Sequence, residues 1–401
     1  MIKFEDALDL LLKNTNEKEK ELEFINNLKD RVLAQDIFSP IDNPPFDKSP
    51  LDGYAIKASD IKNGSKNNPI RLEVIDKIYA GDVSKATITD GTCVRLMTGS
   101  HIPIGADCVV KQENCKAYEN YIEVYTSHNP YDNYCHKGED FKKNTMVLEK
   151  NIIVKSSHIM ALASLGIDKA LVYQKPVVGI ITTGSEIQNP GTTLNLGKIY
   201  NSNGYFLNSR LLELGTKPIM FDVAKDDEQH IIDVLKKASE DCDIIVTTGG
   251  VSVGEKDILK QCAIKCGYNI LFHKVDIKPG SPMLGAKNDE NKLLIALSGT
   301  PVAAATTFEL FVRPIISKML NCKDINYKKI KGIMQDEFLR CSNKRRFLRV
   351  NIQQMDINKV YIDYVYQSPG QIHTMINSNG LIEVKKNTTL NKEQEVDVIL
   401  L

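Results

Sequence analysis

One glycine-rich segment combines the residue types that a binding or catalytic site needs. It runs from Thr247 to Asp257, and its candidate site residues are Gly249, Gly250, Ser252, Gly254 and Asp257. The apolar run before it predicts a buried strand, and the helical spacing of apolar residues after it predicts a helix. A turn between a strand and a helix gathers backbone N–H groups and the positive end of the helix around an anion. An isolated Gly-Gly is usually only a tight turn, but the hydroxyls, acids and lysine here favour a binding site.

Further polar turns follow the other apolar strands of this part of the chain. They contain Ser185 and Glu186, then Asp226, then Lys274, Lys278, Pro279 and Gly280, and finally Ser298, Gly299, Thr300 and Pro301. In a parallel sheet covered by helices, the carboxyl ends of the strands meet at one edge, where ligands bind. Each turn taken singly is more often structural than functional. Their shared position predicts a single crevice.

The charges expected in this crevice indicate its chemistry. The ammonium groups of Lys274 and Lys278 suit an oxyanion. Acids in the same crevice would repel that anion unless a divalent cation bridges them. Since the surroundings are rich in oxygen and lack thiolates, Mg²⁺ is the favoured ion.

Three residues of the first half of the chain are weaker candidates. Asp52 follows a proline-stiffened loop and stands before the glycine of a turn. Thr98 lies in a Thr-Gly-Ser turn of the kind that can bind phosphate. Asp140 closes a polar loop. All three are ordinary turn residues by default.

Composition excludes several classes of function. The chain has 401 residues, and its 51 basic and 51 acidic side chains cancel, so no general attraction to nucleic acid or to an acidic membrane is expected. No apolar run reaches the roughly 18 residues of a transmembrane helix, and no signal peptide is recognisable. The nine cysteines are scattered without a Cys-x-x-Cys pair. A cytoplasmic location is therefore predicted.

The order of the elements predicts an α/β multidomain protein. A discontinuous helical and extended linker domain comprises residues 1–44 and 140–173, and a small β domain is inserted at residues 45–139. Alternating strands and helices predict a three-layer α/β domain with a mainly parallel sheet at residues 174–321. Short strands return at residues 322–401 and predict a β-barrel-like C-terminal domain.

Several long motifs in the same order resemble one known family over nearly the whole chain. They are the segments 44–55, 97–99, 138–140, 183–186, 201–203, 247–257 and 277–283. The chain resembles the bacterial MoeA-type molybdopterin molybdenumtransferases, which are related to the E domain of Cnx1 and gephyrin. The resemblance implies an elongated, four-part subunit whose α/β domain is MogA/MoaB-like, resembling the adenylyltransferase that acts one step earlier.

The resemblance also implies an activity and a set of functional positions. The family cleaves adenylylated molybdopterin, releases AMP and inserts the metal from molybdate into the dithiolene. The positions that match functional residues of the family are Asp52, Thr98, Asp140, Glu186, Asp226, Asp257, Lys274, Lys278 and Pro301. Glu186 and Asp257 are the expected Mg²⁺ ligands. The family forms a homodimer, so Asp52, Thr98 and Asp140 are expected to serve the partner's crevice.

Three departures from the family pattern bear on the choice of oxyanion. Ser298-Gly299-Thr300-Pro301 replaces Pro-Gly-Asn-Pro, His373-Thr374 replaces a serine-containing segment, and Lys344-Arg345-Arg346 brings a basic residue where an acid is common. Tungstate is therefore an alternative to molybdate as substrate. A non-catalytic molybdopterin-binding or scaffold paralogue is a further alternative, and the upstream adenylyltransferase is a possible partner.

Overall fold

The structure is a computed structural model of the chain, and it describes residues 1–222, 227–250, 258–354, 357–362 and 367–401. Its helices are α1 Phe4–Lys13, α2 Ser156–Ser164, α3 Ser202–Glu213, α4 Glu228–Asp241, α5 Leu259–Lys265, α6 Pro301–Thr307, α7 Arg313–Met319 and α8 His373–Ile376. A π-helical stretch, Phe308–Val312, joins α6 to α7. Single-turn helices lie at Ile25–Asn27, Ala58–Ile61 and Gln112–Asn114.

The strands of the first half of the chain are β1 Lys20–Phe24, β2 Ile37–Phe38, β3 Gly53–Ile56, β4 Ile70–Ile78, β5 Thr92–Leu96, β6 Cys108–Lys111, β7 Cys115–Ala117, β8 Tyr121–Val124, β9 Met146–Leu148, β10 Lys169–Tyr173, β11 Val177–Thr182, β12 Ile187–Gln188 and β13 Ile199–Tyr200. Those of the second half are β14 Lys217–Met220, β15 Ile244–Thr248, β16 Asn269–His273, β17 Ile277–Lys278, β18 Leu284–Lys287, β19 Leu293–Leu297, β20 Lys329–Met334, β21 Arg345–Gln353, β22 Lys359–Tyr361, β23 Gly380–Val384 and β24 Glu395–Leu400.

The chain divides into two compact units. The first contains residues 1–35, 150–155 and 169–401, and the second contains residues 36–149 and 156–168. The four domain boundaries expected from the sequence stay a prediction. Among the described residues, no helix is both long and apolar enough to span a membrane.

The first unit contains a mixed six-stranded sheet in the order β14-β11-β15-β19-β18-β16. The first four strands are mutually parallel, and β18 is antiparallel to both of its neighbours. Along β15, Ile244 and Val246 pack with α3, whereas Ile245 packs with α4 and α5. Because successive strand residues point to opposite faces, helices cover both sides of the sheet. The predicted three-layer α/β domain with a mainly parallel sheet is confirmed.

The C-terminal strands of this unit close into a barrel. Pairing runs β21-β22-β20-β24-β23, and β23 also pairs with β21, which completes the ring. The short strand β17 joins β21 from outside the ring. Val350, Val360 and Val398 lie in the core of the barrel. The barrel-like C-terminal domain expected from the sequence is thus confirmed.

The second unit is built around a separate six-stranded sheet. Its order is β6-β3-β5-β4-β8-β7, and the short pair β2-β9 lies in the same unit. Both faces of this sheet are buried, since Tyr54 and Ile56 belong to one apolar cluster and Ala55 to another. The β-rich character predicted for this part of the chain is confirmed.

Candidate active site: a cleft at the strand ends

The ends of β11 and β15 lie side by side at one edge of the α/β sheet. The backbone N–H of Thr183 donates to the carbonyl oxygen of Thr248 over 2.9 Å, and the Thr183 hydroxyl donates to the same oxygen over 3.2 Å. Gly249 and Gly250 follow with φ angles of 91° and 65°. A Cβ atom on Gly249 would lie 2.4 Å from the carbonyl oxygen of Thr183. Glycine is therefore required at position 249 by conformation and by space.

The turn after β19 contacts the turn after β15. A Cβ atom on Gly299 would lie 3.3 Å from Cα of Gly249, so the two backbones approach closely. The Nδ2 group of Asn203 donates to the carbonyl oxygen of Gly299 over 2.8 Å. Asn203 lies at the start of α3, whose cap is the Asn201 side chain that accepts from the N–H of Gly204 over 2.9 Å. The Asn201 side chain therefore caps α3, and the cap positions Asn203.

The segment after β17 forms another side of this region. Gly280 has a φ angle of 93°, and a Cβ atom there would lie 2.3 Å from Cγ2 of Thr307 in α6. Lys344, just before β21 of the barrel, donates from Nζ to the Ser281 hydroxyl over 3.1 Å. The barrel therefore adds a cationic side chain beside the α/β sheet.

These segments enclose a cleft of about 900 Å³. The predicted site residues that line it are Glu186, Gly249, Gly250, Lys278, Pro279, Gly280, Ser298, Gly299, Thr300 and Pro301. The side chains of Glu186 and Lys278 are exposed, and neither forms an ion pair with another residue in the described part of the chain. Thr248 also borders the cleft, and its hydroxyl is buried without a partner among the described residues. The cleft thus offers an ammonium, a carboxylate and hydroxyl groups to a ligand.

Other predicted site residues are not part of this lining. Among the described residues, Ser185 and Lys274 do not border the cleft. Lys274 has a φ angle of 70°, and its backbone bonds to Ile2 and Met283. Four further candidates, Asp226, Ser252, Gly254 and Asp257, lie outside the described residues. Their roles stay predictions.

Asp52 and Thr98 form a close pair within the second unit. One carboxylate oxygen of Asp52 accepts from the backbone N–H and from the hydroxyl of Thr98, each over 2.8 Å. These two hydrogen bonds hold the pKa of Asp52 below its usual value, because they stabilise the carboxylate. Asp140, in the same unit, accepts from Nδ2 of Asn43 over 3.2 Å. Two of the three candidates in this unit are therefore brought together by direct contact.

The donor atoms of the cleft are compatible with magnesium. Glu186 is the one carboxylate among the described residues that line it, and Ser298 and Thr300 belong to the same lining. The described residues contain no cluster of three or more His, Cys, Asp or Glu side chains that could hold a metal. Mg²⁺ commonly uses one or two carboxylates together with water and substrate phosphate oxygens. Glu186 fits that mode.

Sequence reasoning missed some of the polar residues of the cleft. Asn203, Thr248 and Lys344 line it but were not among the predicted site residues. Thr248 ends a strand next to the predicted glycine turn, so the strand-end rule could have found it. In the sequence, Lys344 is marked only by the basic run Lys344-Arg345-Arg346, which departs from the family pattern. Its position depends on how the barrel packs against the α/β sheet, which no local signal reveals.

Comparison with known proteins agrees with this architecture. Residues 2–166 match the model of the MoeA N-terminal region (domain I and II), residues 179–318 match a probable molybdopterin binding domain, and residues 331–401 match the MoeA C-terminal region (domain IV). A molybdopterin molybdenumtransferase of Staphylococcus epidermidis is 36% identical over 370 residues, which cover 92% of this chain and 88% of that protein. One of Staphylococcus aureus is 35% identical with the same coverage.

Solved structures lead to the same family. A molybdopterin biosynthesis MoeA protein of Pyrococcus horikoshii superposes with a TM-score of 0.86 at 29% identity, over 100% of this chain and 99% of that chain. Another structure of a molybdopterin biosynthesis MoeA protein, from Pyrococcus horikoshii OT3, gives a TM-score of 0.82 at 33% identity and covers both chains fully. The chain belongs to the family of MoeA-type molybdopterin molybdenumtransferases and is a transferase of molybdenum cofactor biosynthesis.

Proposed function

We propose that this chain is a molybdenum insertase that cleaves adenylylated molybdopterin with Mg²⁺, releases AMP and leaves molybdenum from molybdate on the dithiolene. The observation that carries the proposal is the cleft at the strand ends. It is lined by the ammonium of Lys278 and the carboxylate of Glu186, neither of which has an ion-pair partner among the described residues, and by two glycine turns. Both substrates are anions, and the chain has no net charge to attract them. Local geometry must therefore hold them.

Each group in the cleft has a separate task in this reaction. Lys278 and the backbone amide of Gly250 stabilise the negative charge of the phosphoryl oxygens, whereas the N–H of Gly249 donates to the carbonyl oxygen of Leu297. Glu186 would hold Mg²⁺, which neutralises charge as the adenylate link breaks. An oxygen nucleophile attacks the adenylate phosphorus, and the pterin phosphate leaves with the electron pair of the broken bond. Asp257 and Asp226 are further candidate ligands, and Lys274 is a further candidate cation, from the sequence alone.

The choice of oxyanion is the open part of this proposal. Lys344 brings a second cation to the cleft, and the hydroxyls of Ser298 and Thr300 lie 3.0 Å apart there. Both features stand where the chain departs from the family pattern. A tungstate-preferring insertase is therefore the second candidate function.

One incubation tests the activity and the oxyanion together. The purified chain is mixed with adenylylated molybdopterin and Mg²⁺, with either molybdate or tungstate at equal concentration, and AMP and metal-loaded pterin are quantified. Formation of AMP together with molybdenum-loaded pterin supports the proposal. More metal-loaded pterin with tungstate would favour the second candidate. Pterin binding without AMP would indicate a scaffold, and consumption of ATP with molybdopterin would indicate an adenylyltransferase.

A homodimer in which Asp52, Thr98 and Asp140 serve the partner's cleft is part of the proposal. Mixing Asp52→Asn chains with Lys278→Met chains tests it, because each mixed dimer would then have one intact site. Random exchange in equal amounts predicts recovery of about a quarter of the wild-type activity. Recovery of no activity in a mixture shown to contain mixed dimers would place both residues in the same subunit's site. A cytoplasmic location is expected, with the upstream adenylyltransferase as a possible partner.

A further inference from the structure

Asn203, near the start of α3, borders the cleft with a side chain whose position is fixed. Its Nδ2 group donates to the carbonyl oxygen of Gly299 over 2.8 Å, and only 8% of the residue is exposed. The start of α3 is itself held, because Oδ1 of Asn201 accepts from the N–H of Gly204 over 2.9 Å and from the hydroxyl of Thr182 over 3.3 Å. Asn203 therefore stands on a rigid part of the fold.

These contacts leave the oxygen end of the Asn203 amide free. Only the nitrogen end of an amide can donate to a carbonyl oxygen, so the bond to Gly299 decides which end is which. Oδ1 of Asn203 accepts no hydrogen bond from any described residue, and it is not one of the enclosed side-chain atoms that lack a partner. This oxygen therefore reaches the surface, where it is open to a donor that enters the cleft.

Two apolar side chains of the cleft belong to the same stretch of chain as this oxygen. Ile187 and Ile199 are partners in the short strand pair β12-β13, and both border the cleft. The pair is joined to the start of α3, because the N–H of Asn201 donates to the carbonyl oxygen of Gln188 over 2.8 Å. Two apolar side chains and one oriented acceptor suit a flat ring that carries an N–H group.

The cations of the cleft come from other segments. Lys278 and Lys344 are the two cations among the described residues of the lining, and they lie in and next to the strands β17 and β21, which pair with each other. The segments that follow β11 contribute an acid, two isoleucines and the Asn203 amide to this lining, but no cation among its described residues. A ligand with an anionic part and an uncharged ring would therefore turn its ring toward the segments after β11.

We propose that Asn203 is a specificity-determining residue, whose Oδ1 accepts a hydrogen bond from the amino group of the substrate's nitrogen heterocycle while Ile187 and Ile199 pack against the ring. The inference rests on the proposed function, whose substrate contains two such rings, the pterin and the adenine. Both carry an amino group beside a ring nitrogen. A site that offers an acceptor to this group rejects analogues that lack it, because the acceptor is then left unpaired away from water.

Binding of matched rings to the full chain tests this role without any variant. By calorimetry, AMP is compared with purine riboside 5′-monophosphate, which lacks the amino group, and pterin is compared with lumazine, which has an oxygen in its place. At least one amino-bearing ring should bind about fivefold or more tighter than its analogue, and that pair identifies the ring which Asn203 contacts. Equal Kd values within both pairs would overturn this proposal and leave the proposed function standing. A lack of binding by both AMP and pterin would overturn the two together.

Two variants separate a direct contact from structural support. Asn203→Ala removes Oδ1, so the ratio of Kd values within the discriminating pair should fall to about one, whereas a general loosening of the cleft would weaken both rings alike and keep the ratio. Asn343→Ala is the matched control, since Asn343 is an exposed amide that borders the cleft from the barrel. It should keep the ratio of the wild type. An unchanged ratio in Asn203→Ala, or an equal loss of the ratio in Asn343→Ala, would overturn the assignment.

Discussion

Helix α6 has cavities of opposite character on its two sides. The cleft on one side has a volume of about 900 Å³, and its charged groups, Glu186 and Lys278, are exposed and unpaired among the described residues. The cavity on the other side has about 290 Å³, and Glu309 in it is held between two arginines. The comparison teaches that the exposed charges of the cleft are left free to meet water or a ligand, whereas the buried carboxylate of Glu309 is held in ion pairs. Changes in the cleft should therefore affect the reaction, and changes in the cavity should affect stability.

The largest expected effect comes from the buried side of this comparison. Glu309→Leu leaves the guanidinium groups of Arg210 and Arg313 without their shared carboxylate, whose side chain is only 4% exposed. Removing one partner of a buried ion pair costs about 3–5 kcal/mol, so the free energy of unfolding should fall by that amount in urea titration. Glu213→Gln is the control, because Glu213 is 54% exposed and should change stability by less than about 1 kcal/mol. Equal losses of unfolding free energy in the two variants would show that the buried carboxylate of Glu309 is no more important for stability than the exposed one of Glu213.

The next effect lies in the cleft. Lys278→Met removes the ammonium that we expect to stabilise the phosphoryl charge, so AMP release should fall about 10²–10³-fold. The midpoint of urea unfolding should stay close to that of the wild type, since Lys278 is exposed and makes no ion pair with any described residue. Lys329→Met, on an exposed position of the barrel, serves as the control for charge loss. Near-normal turnover in Lys278→Met would contradict the proposed role.

Gly249→Ala tests the close approach of the strand ends. The new methyl group would press against Thr183 in a backbone with a φ angle of 91°, and a strained residue of this kind costs about 1–3 kcal/mol. Gly267 has a similar φ angle of 82°, but a methyl group added there would meet no atom within 4 Å. Gly267→Ala therefore measures only the cost of placing alanine in this backbone conformation. The variant at position 249 should lose more stability than its control, and it alone should lose activity. Equal losses of stability and activity in the two variants would show that Gly249 does not lie tightly against Thr183.

The smallest expected effect concerns Asp52 in the second unit. Thr98→Val removes the hydroxyl donor, so the pKa of Asp52 should rise toward its usual value in an NMR titration of the carboxyl groups. Since folding lowers this pKa, the stabilising contribution is complete at neutral pH and is lost as the pH falls through the lowered pKa. In Thr98→Val, the folded state should therefore lose less stability as the pH falls through this range. An unchanged pKa of Asp52 would mean that the hydrogen bond from the backbone N–H of Thr98 is enough to keep this pKa low.

The sequence predicted those parts of the fold that depend on local pattern. The apolar run before Gly249 became β15, and the asparagine segment at 201–203 caps α3, because strand propensity and capping act over a few residues. The rule that strand ends meet at one edge then brought Glu186 and Pro301 to one cleft, whereas Lys278 reaches it at the end of β17, which pairs with the barrel strand β21.

The missed features depend on packing between distant segments. Lys344 reaches Ser281 because the barrel pairs β17 with β21, which is not visible in either segment alone. Arg349 and Glu309 are charged residues in otherwise apolar stretches, and only the assembled structure tells which of them is paired. Lys274 shows the converse, since adjacency in sequence to Lys278 did not bring it to the cleft lining among the described residues.

A crystal structure of the chain soaked with adenylylated molybdopterin or AMP would test the central claim most directly. The account predicts that the phosphate lies in the cleft, within hydrogen-bond distance of the Lys278 ammonium and the backbone amide of Gly250. A nucleotide phosphate bound elsewhere, with the strand-end cleft left empty, would contradict it.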